Sequence, residues 1–249
     1  MVSRPYVLLS VAMSVDGYID DASDARLMLS NDEDFDRVDE VRAGVDAILV
    51  GANTIRRDNP RLLIRSAARQ QERIRRGLAA HPIKVTVTGG GDLDVTARFF
   101  SAGDSEKLVY TRDPVAAALG TTLGDSGTVV GAGDPIDLRA VLDDLAGRKV
   151  ERLMVEGGAT MHTQFLQAGL VDEIHLVIAP FLVGDAGAPR FVHPARFPQN
   201  PVHPMTLAET RQIGDVVLLR YLSLAAASSS IQPESCTDRS PSASPGAGR

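Results

Sequence analysis

The chain has 249 residues, of which 44% are hydrophobic and 23% charged, and this ordinary globular composition excludes disorder along its whole length. The net charge of −6 argues against general affinity for nucleic acid, and no stretch approaches the ~20 apolar residues of a membrane-spanning helix. The single cysteine, Cys236, excludes an intramolecular disulfide, and the N-terminal residues show no charged-then-apolar leader, so we expect a cytoplasmic protein.

Short apolar runs alternate with helical patterns along most of the chain. Several runs are nearly continuous in Val, Leu and Ile, which is typical of strands covered on both faces of a parallel sheet. The predicted strands are Tyr6–Met13, Val45–Gly51, Lys84–Thr88, Lys107–Tyr110, Thr128–Gly131, Arg152–Glu156, Glu173–Pro180 and Val216–Leu224. The predicted helices are Asp32–Ala43, Ser66–Leu78, Asp137–Ala146 and Ala159–Ala168.

This alternation predicts an α/β domain, in which helices flank a central, mostly parallel mixed sheet. The last two strands are joined by a loop alone, so we expect an antiparallel C-terminal edge. Ser30 and Glu33 have the spacing of a capping box at the start of the first helix. We take residues 1–224 as one domain, and we expect the Ser/Ala/Pro-rich residues 225–249 to form a disordered tail.

Glu156 ends the predicted strand Arg152–Glu156, and two glycines, Gly157 and Gly158, connect it to the next predicted helix. The free backbone N–H groups at such a helix start can bind a phosphate, and Gly157 and Gly158 let it approach closely. A tight turn without a ligand explains the pattern equally well. The full Gly-x-Gly-x-x-Gly fingerprint is absent, so a standard Rossmann site is not expected.

A second candidate follows the apolar strand that ends at Gly51. We expect a polar loop there, and Thr54 and Asp58 can bind hydroxyl groups at the carboxyl end of the strand. A plain turn is the alternative, because the residues from 58 to 60 are Asp, Asn and Pro.

An arginine-rich segment, residues 56–76, overlaps the end of this loop. Arg65 is a candidate phosphate ligand, whereas from Arg69 onward we favour a solvated helix face.

The histidines show no metal-ligand spacing, and neither a Walker loop nor a Gly-x-Ser-x-Gly elbow occurs. We therefore predict no bound metal and no covalent nucleophile.

Taken in chain order, several segments resemble the pyrimidine reductase of riboflavin biosynthesis. The matching pieces are Ala12–Gly17, Val41–Ala43, Asp46–Gly51, Thr54, Asp58–Pro60, Leu63–Arg65, Val155–Gly158, Gly169–Ile174 and Ala179–Pro180. The resemblance covers roughly residues 5–222 and implies a dihydrofolate-reductase-like fold and a homodimer. It also implies an NADPH-dependent reduction, in which the ribosyl group of a 5-amino-6-(5-phosphoribosylamino)pyrimidine becomes ribityl.

The resemblance also implies roles for residues at the matching positions. Asp58 and Glu156 would be the catalytic pair, with Asp58 on the ribosyl hydroxyls and Glu156 on the N–H groups of the pyrimidine. The expected substrate residues are Ser30, Arg42, Asp58, Arg65 and Glu156, with Ser30, Arg42 and Arg65 at the phosphate. The expected cofactor residues are Gly51, Thr54, Gly157, Gly158 and Ala159. Arg112, which follows a strand, is our candidate for the 2′-phosphate of NADPH.

Ser10 departs from the family pattern, because many members have Lys and others Asn at this position. The runner-up interpretation is therefore a dihydrofolate or pterin reductase on the same fold. A third possibility is a cofactor-binding module without catalysis, in which the arginine-rich segment contacts a polyanion. The single cysteine leaves no zinc signature for a deaminase half, so we expect a reductase alone.

Overall fold

The computed structural model describes residues 4–23, 25, 27–224, 226 and 227. Within these residues, nine strands form one sheet. The strands are β1 (Tyr6–Ser14), β2 (Ala47–Gly51), β3 (Ile83–Thr88), β4 (Lys107–Thr111), β5 (Thr128–Gly131), β6 (Arg152–Gly157), β7 (Glu173–Ala179), β8 (Thr206–Ile213) and β9 (Val216–Leu222). Apart from 226 and 227, the tail predicted for residues 225–249 lies outside the described residues.

The helices lie between the strands of the parallel part of the sheet. They are α1 (Asp32–Ala43), α2 (Ala52–Asp58), α3 (Ala67–Arg75), α4 (Arg98–Ser101), α5 (Asp113–Leu123), α6 (Leu138–Gly147) and α7 (Ala159–Gln167). A short 3₁₀ turn, Gly124–Ser126, follows α5. None of the helices in the described ranges is long and apolar enough to cross a membrane.

The sheet order is β5-β4-β3-β2-β6-β1-β7-β9-β8. Neighbours from β5 to β7 are parallel, whereas β9 pairs antiparallel with both β7 and β8. The predicted mixed sheet with an antiparallel C-terminal edge is therefore confirmed.

Apolar residues cover both faces of the central strands and explain why these strands read as continuous apolar runs. In β2, for example, every residue from Ala47 to Gly51 is buried. One core cluster packs α6 and α7 against the sheet, with Phe165 and Leu142 fully buried. A second cluster covers the opposite face and contains Phe99 and Ile55.

Several local predictions need correction. Asn31, not Ser30, caps α1, because the side chain of Asn31 accepts a hydrogen bond from the Asp34 N–H. The expected loop after β2 is the helix α2. Helix α5, strand β8 and the single-turn helix α4 were not predicted. In α5 only Leu119 and Leu123 are buried, and β8 is almost entirely exposed at the sheet edge, so neither carries a strong apolar period.

The arginine-rich segment is only partly a solvated face. Arg69 pairs with Asp36 and Asp39 of α1 at 2.6 and 3.0 Å. Arg73 is 3% exposed, so the expectation of a solvated face is wrong for this residue. Its guanidinium donates to the carbonyls of Ala79, Ala43 and Val45 at 2.9, 3.0 and 2.7 Å. This arginine therefore joins α3 to the chain between α1 and β2.

Arg73→Ala should lower the free energy of unfolding by about 3 kcal/mol, since three carbonyls lose their donor in a buried position. Arg75→Ala is the matched control, because Arg75 is exposed and pairs with Glu72 on the same helix. We expect the control to change stability by less than about 0.5 kcal/mol. Urea denaturation of both variants measures the difference, and equal effects would contradict a structural role for Arg73.

Candidate active site

A cleft of about 990 Å³ opens at the carboxyl ends of the central parallel strands. This is the edge at which open α/β sheets bind ligands, and the volume is typical of a small-molecule site. Ten of the predicted site residues line the cleft: Ser30, Arg42, Gly51, Thr54, Asp58, Arg112, Glu156, Gly157, Gly158 and Ala159. The structure therefore brings Asp58 and Glu156, which are far apart in the sequence, into one cavity.

The wall between β6 and α7 is built from glycines. Gly158 has a φ of +93° and is the N-cap of α7, a backbone conformation that favours glycine. A Cβ atom at Gly158 would lie 3.3 Å from Thr54 Oγ1, so α2 packs directly against this turn. No side chain among the described residues caps α7, and its first N–H groups point along the helix axis as donors for a bound anion.

Glu156 occupies an irregular position in β6. Leu49 of β2 lies opposite Val155, but the next residue, Val50, lies opposite Gly157. Glu156 is therefore the extra residue of a bulge, and a bulge changes the direction of the side chain it carries. The Glu156 side chain is 11% exposed and lines the cleft.

Arg42, from the last turn of α1, binds both carboxylate oxygens of Glu156. Arg42 Nε donates to Oε1 at 2.6 Å and Nη2 donates to Oε2 at 2.5 Å, a bidentate pair. Arg42 Nη1 donates to the Leu63 carbonyl at 3.2 Å. Burial alone would lower the pKa of Arg42, but the charge and hydrogen bonds of Glu156 raise it above its ordinary value. Arg42 is therefore a cation in the folded protein.

Asp58 is the last residue of α2 and lies exposed on the cleft wall. The preceding residue, Arg57, reaches Asp20 at 3.5 Å, and Asp20 also lines the cleft from the connection between β1 and α1. Helix α2 thus carries a carboxylate into the site and contacts the opposite rim.

Arg65 is not among the residues that line the cleft. It is exposed, and its guanidinium lies 5.3 Å from the ring centre of Phe35. Phe35 does line the cleft, so Arg65 stands next to the cavity.

A buried network that the sequence did not reveal begins at Ser30. The Ser30 hydroxyl donates to Asp34, and Arg37 Nε donates to Asp34 at 2.6 Å. Arg37 Nη1 then contacts His175 Nδ1 at 3.3 Å, and His175 Nε2 lies 2.8 Å from Glu173. Asp34 and Arg37 also line the cleft.

Glu173 anchors the far end of that network, at the start of β7. Burial alone would raise the pKa of Glu173, but hydrogen bonds from His175, Arg220 and Tyr6 lower it to about 2. Sequence patterns could not identify this set, because its members come from the chain before α1 and from α1, β1, β7 and β9.

Two arginines hold the glycine-rich turn after β3. Arg112 Nε donates to the Gly89 carbonyl and Arg56 Nη1 donates to the Asp92 carbonyl, both at 2.8 Å. All four residues line the cleft. Arg112 Nη1 also lies 3.7 Å from the Asp134 carboxylate, and the remaining N–H groups of Arg56 and Arg112 form a positive patch at this end of the cavity.

His162, on α7, is a cleft-lining residue that the sequence reasoning did not single out. It is 1% exposed, and its Nδ1 lies 3.2 Å from the Phe191 carbonyl. Its Nε2 has no hydrogen-bond partner in the described part of the chain. Burial lowers the pKa of His162 to about 4, so the ring is neutral at pH 7. The described residues form no cluster of three or more His, Cys, Asp or Glu side chains that could hold a metal ion.

Comparison with known proteins identifies the family. The model of the RibD C-terminal domain matches residues 5–219. Two curated relatives are each named 2,5-diamino-6-ribosylamino-4(3H)-pyrimidinone 5′-phosphate reductase. The protein of Archaeoglobus fulgidus is 34% identical over 186 residues, covering 75% of this chain and 85% of the relative. That of Methanothermobacter thermautotrophicus is 34% identical over 186 residues, covering 74% and 82%.

A solved structure agrees with the fold. The crystal structure of a pyrimidine reductase-like protein from Corynebacterium diphtheriae superposes with a TM-score of 0.77 at 22% identity, over 88% of this chain and 92% of that one. The family and the fold class predicted from the sequence are therefore confirmed.

The buried, neutral His162 predicts an acid-dependent stability. Its pKa falls from about 6.5 in the unfolded chain to about 4 in the folded one. The unfolded state thus binds more protons between these values, and stability is lost as the pH falls from 6.5 to 4. We expect a loss of about 3 kcal/mol from this residue.

Urea denaturation at a series of pH values should show that the stability of His162→Gln falls less steeply as the pH is lowered. His203→Gln, at an exposed histidine, should keep the parental slope, and equal slopes in all three proteins would contradict the prediction.

Proposed function

This chain belongs to the RibD C-terminal domain family, and on that basis we propose that it is an NADPH-dependent reductase of riboflavin biosynthesis. Its substrate would be a phosphorylated ribosylaminopyrimidine, whose ribosyl group it reduces to ribityl. One observation carries this proposal: the Glu156 bulge lies next to the Gly157–Gly158 turn, in the same cleft as Asp58. Glu156 would accept hydrogen bonds from the heterocycle, and the start of α7 would bind a phosphate of the cofactor. Asp58 supplies a second carboxylate to the same cleft.

The substrate end would be formed by the two carboxylates. Glu156 is held by an arginine on both oxygens and therefore acts as an acceptor, which suits a heterocycle edge with N–H donors. The two archaeal relatives are named for a substrate with an additional amino group on the ring. Asp58, at the end of α2, would accept hydrogen bonds from the ribosyl hydroxyls and fix the sugar near the reduced carbon.

The glycine wall fits a dinucleotide. A side chain at Gly158 would be strained and would contact Thr54, so this wall stays open to a phosphate, and the N–H groups at Ala159 and beyond would bind the diphosphate. Gly51, Thr54 and Gly157 would line the same subsite. When bound, NADPH would supply the hydride for the reduction. The protein would orient both molecules and exclude water from the cleft.

The substrate phosphate would lie near the start of α1. We propose Ser30 as a hydroxyl ligand and Arg65 as a cation at the mouth of the cleft, next to Phe35.

The homodimer implied by the resemblance stays a prediction. Strand β8 supports it, because this exposed edge strand pairs with β9 alone among the described strands, and unpaired sheet edges readily join subunits.

Purified protein should oxidise NADPH when the ribosylaminopyrimidine phosphate is added, in its 2-amino or its deaminated form. Asp58→Asn should lower kcat/KM by at least about tenfold, because a charged acceptor near the sugar is lost, while the Kd for NADPH stays within about twofold. The loss of NADPH absorbance and a binding titration measure the two quantities.

Asp94→Asn is the control for this assay, because Asp94 is exposed and bonds to Thr96 outside the cleft lining. Absence of turnover with both pyrimidines would refute the pathway assignment. A higher kcat/KM with dihydrofolate than with either pyrimidine would favour the pterin reductase instead.

Cofactor choice should depend on the positive patch of Arg56 and Arg112. Arg112→Ala should raise the KM for NADPH by about tenfold and leave the KM for NADH unchanged, because only NADPH has a 2′-phosphate. Arg139→Ala is the matched control, since Arg139 is an exposed arginine of α6 outside the cleft lining. An unchanged KM for NADPH in Arg112→Ala would show that the 2′-phosphate binds elsewhere.

A further inference from the structure

We propose that Arg42 is a positioning residue, which holds Glu156 in the orientation that binds the heterocycle, and that it is not a ligand of the substrate phosphate. This inference rests on the proposed function. It departs from the role that the family resemblance implied for Arg42, and three observations carry it.

The first observation is how the guanidinium is used. Three of its five N–H groups are engaged, two by the carboxylate of Glu156 and one by the Leu63 carbonyl. The Nε–Nη2 edge, one of the two edges that can form a bidentate contact with a phosphate, is occupied by the Glu156 carboxylate, and Nη1 at the other edge donates to a backbone carbonyl. A phosphate beside this pair would also meet the negative charge of Glu156 at short range, in a buried site where like charges repel strongly.

The second observation is that Glu156 needs an external support. As the extra residue of a bulge, it is not fixed by regular pairing between β2 and β6. Its side chain and that of Arg42 are 11% and 17% exposed, so a charged Glu156 without a partner would be costly. The bidentate arginine satisfies both oxygens and leaves each of them with a further lone pair for the substrate.

The third observation is that Arg42 is bound to the chain that links α2 to α3, at a point where the backbone is strained. Leu62 is buried and has a φ of +50°, which is unfavourable for leucine. This conformation precedes the Leu63 carbonyl that accepts from Arg42. Asp39 of α1 accepts from the backbone N–H groups of Arg65 and Ser66. Helix α1 therefore holds this segment at two points, one of which is Arg42.

A double-mutant cycle tests the inference. Arg42→Gln, Glu156→Gln and the double variant are assayed with the ribosylaminopyrimidine, both with its 5′-phosphate and after enzymatic removal of the phosphate. If Arg42 acts through Glu156, Arg42→Gln should lower kcat/KM by about 10²-fold on both substrates, since a misplaced binding group has an effect of this size. In the Glu156→Gln background the same change should have almost no further effect.

Arg42→Lys separates position from charge, because lysine keeps the charge but cannot form the planar bidentate contact. We expect it to recover only part of the lost kcat/KM. Arg69→Gln is the matched control. Arg69, on α3, also forms ion pairs with α1, but its partners are Asp36 and Asp39 and not Glu156. It should keep the parental ratio between the two substrates.

Three results would overturn the inference: a loss confined to the phosphorylated substrate, a loss that multiplies in the Glu156→Gln background, or no loss. Failure of the parental protein to turn over either pyrimidine would instead refute the proposed function. In that case the free energies of unfolding of the parental protein, the two single variants and the double variant still test whether Arg42 and Glu156 interact. The double variant should be destabilised by less than the sum of the single variants, and strict additivity would contradict the pair.

Discussion

The ion pair between Glu156 and Arg42 connects the parts of the molecule that form the site. Glu156 comes from the end of β6 and Arg42 from the end of α1. The third donor of the guanidinium binds the Leu63 carbonyl, in the chain that links α2 to α3. Because both charges are largely buried, neither can be removed without leaving the other unpaired. The pair thus fixes a carboxylate of the cleft and, with it, the relative position of three segments.

Around this pair, the parallel sheet supplies the geometry. Parallel strands end at the same edge, and the helices that follow β2 and β6 begin there, at Gly51 and Gly158. The close contact of Thr54 with the Gly157–Gly158 turn leaves no room for larger residues. A helix start lined by glycines therefore lies next to a carboxylate, so backbone donors that can bind an anion and a carboxylate acceptor share one cleft.

Helix α1 carries three buried charged residues. Asp34, Arg37 and Asp39 are nearly inaccessible to solvent, yet each is hydrogen-bonded to another side chain or to the backbone of another segment. Together with Arg42, they tie α1 to the cleft, to β7 and to the segment before α3. The arginine-rich stretch belongs to the same scheme, because Arg69 and Arg73 bind α1 and the chain that follows it. The charge of these two arginines therefore serves the packing of the domain.

The sequence by itself determined the layered α/β fold, the parallel strands, the antiparallel edge and the family, because apolar periods and the order of short motifs are local properties of the chain. It also placed ten residues that meet in one cleft. Only the tertiary structure decided that Arg42 pairs with Glu156, that Arg73 is buried and that Arg65 stands outside the cavity lining. These facts depend on a bulge between β2 and β6 and on contacts between segments distant in the chain, and no local pattern records where two distant side chains meet.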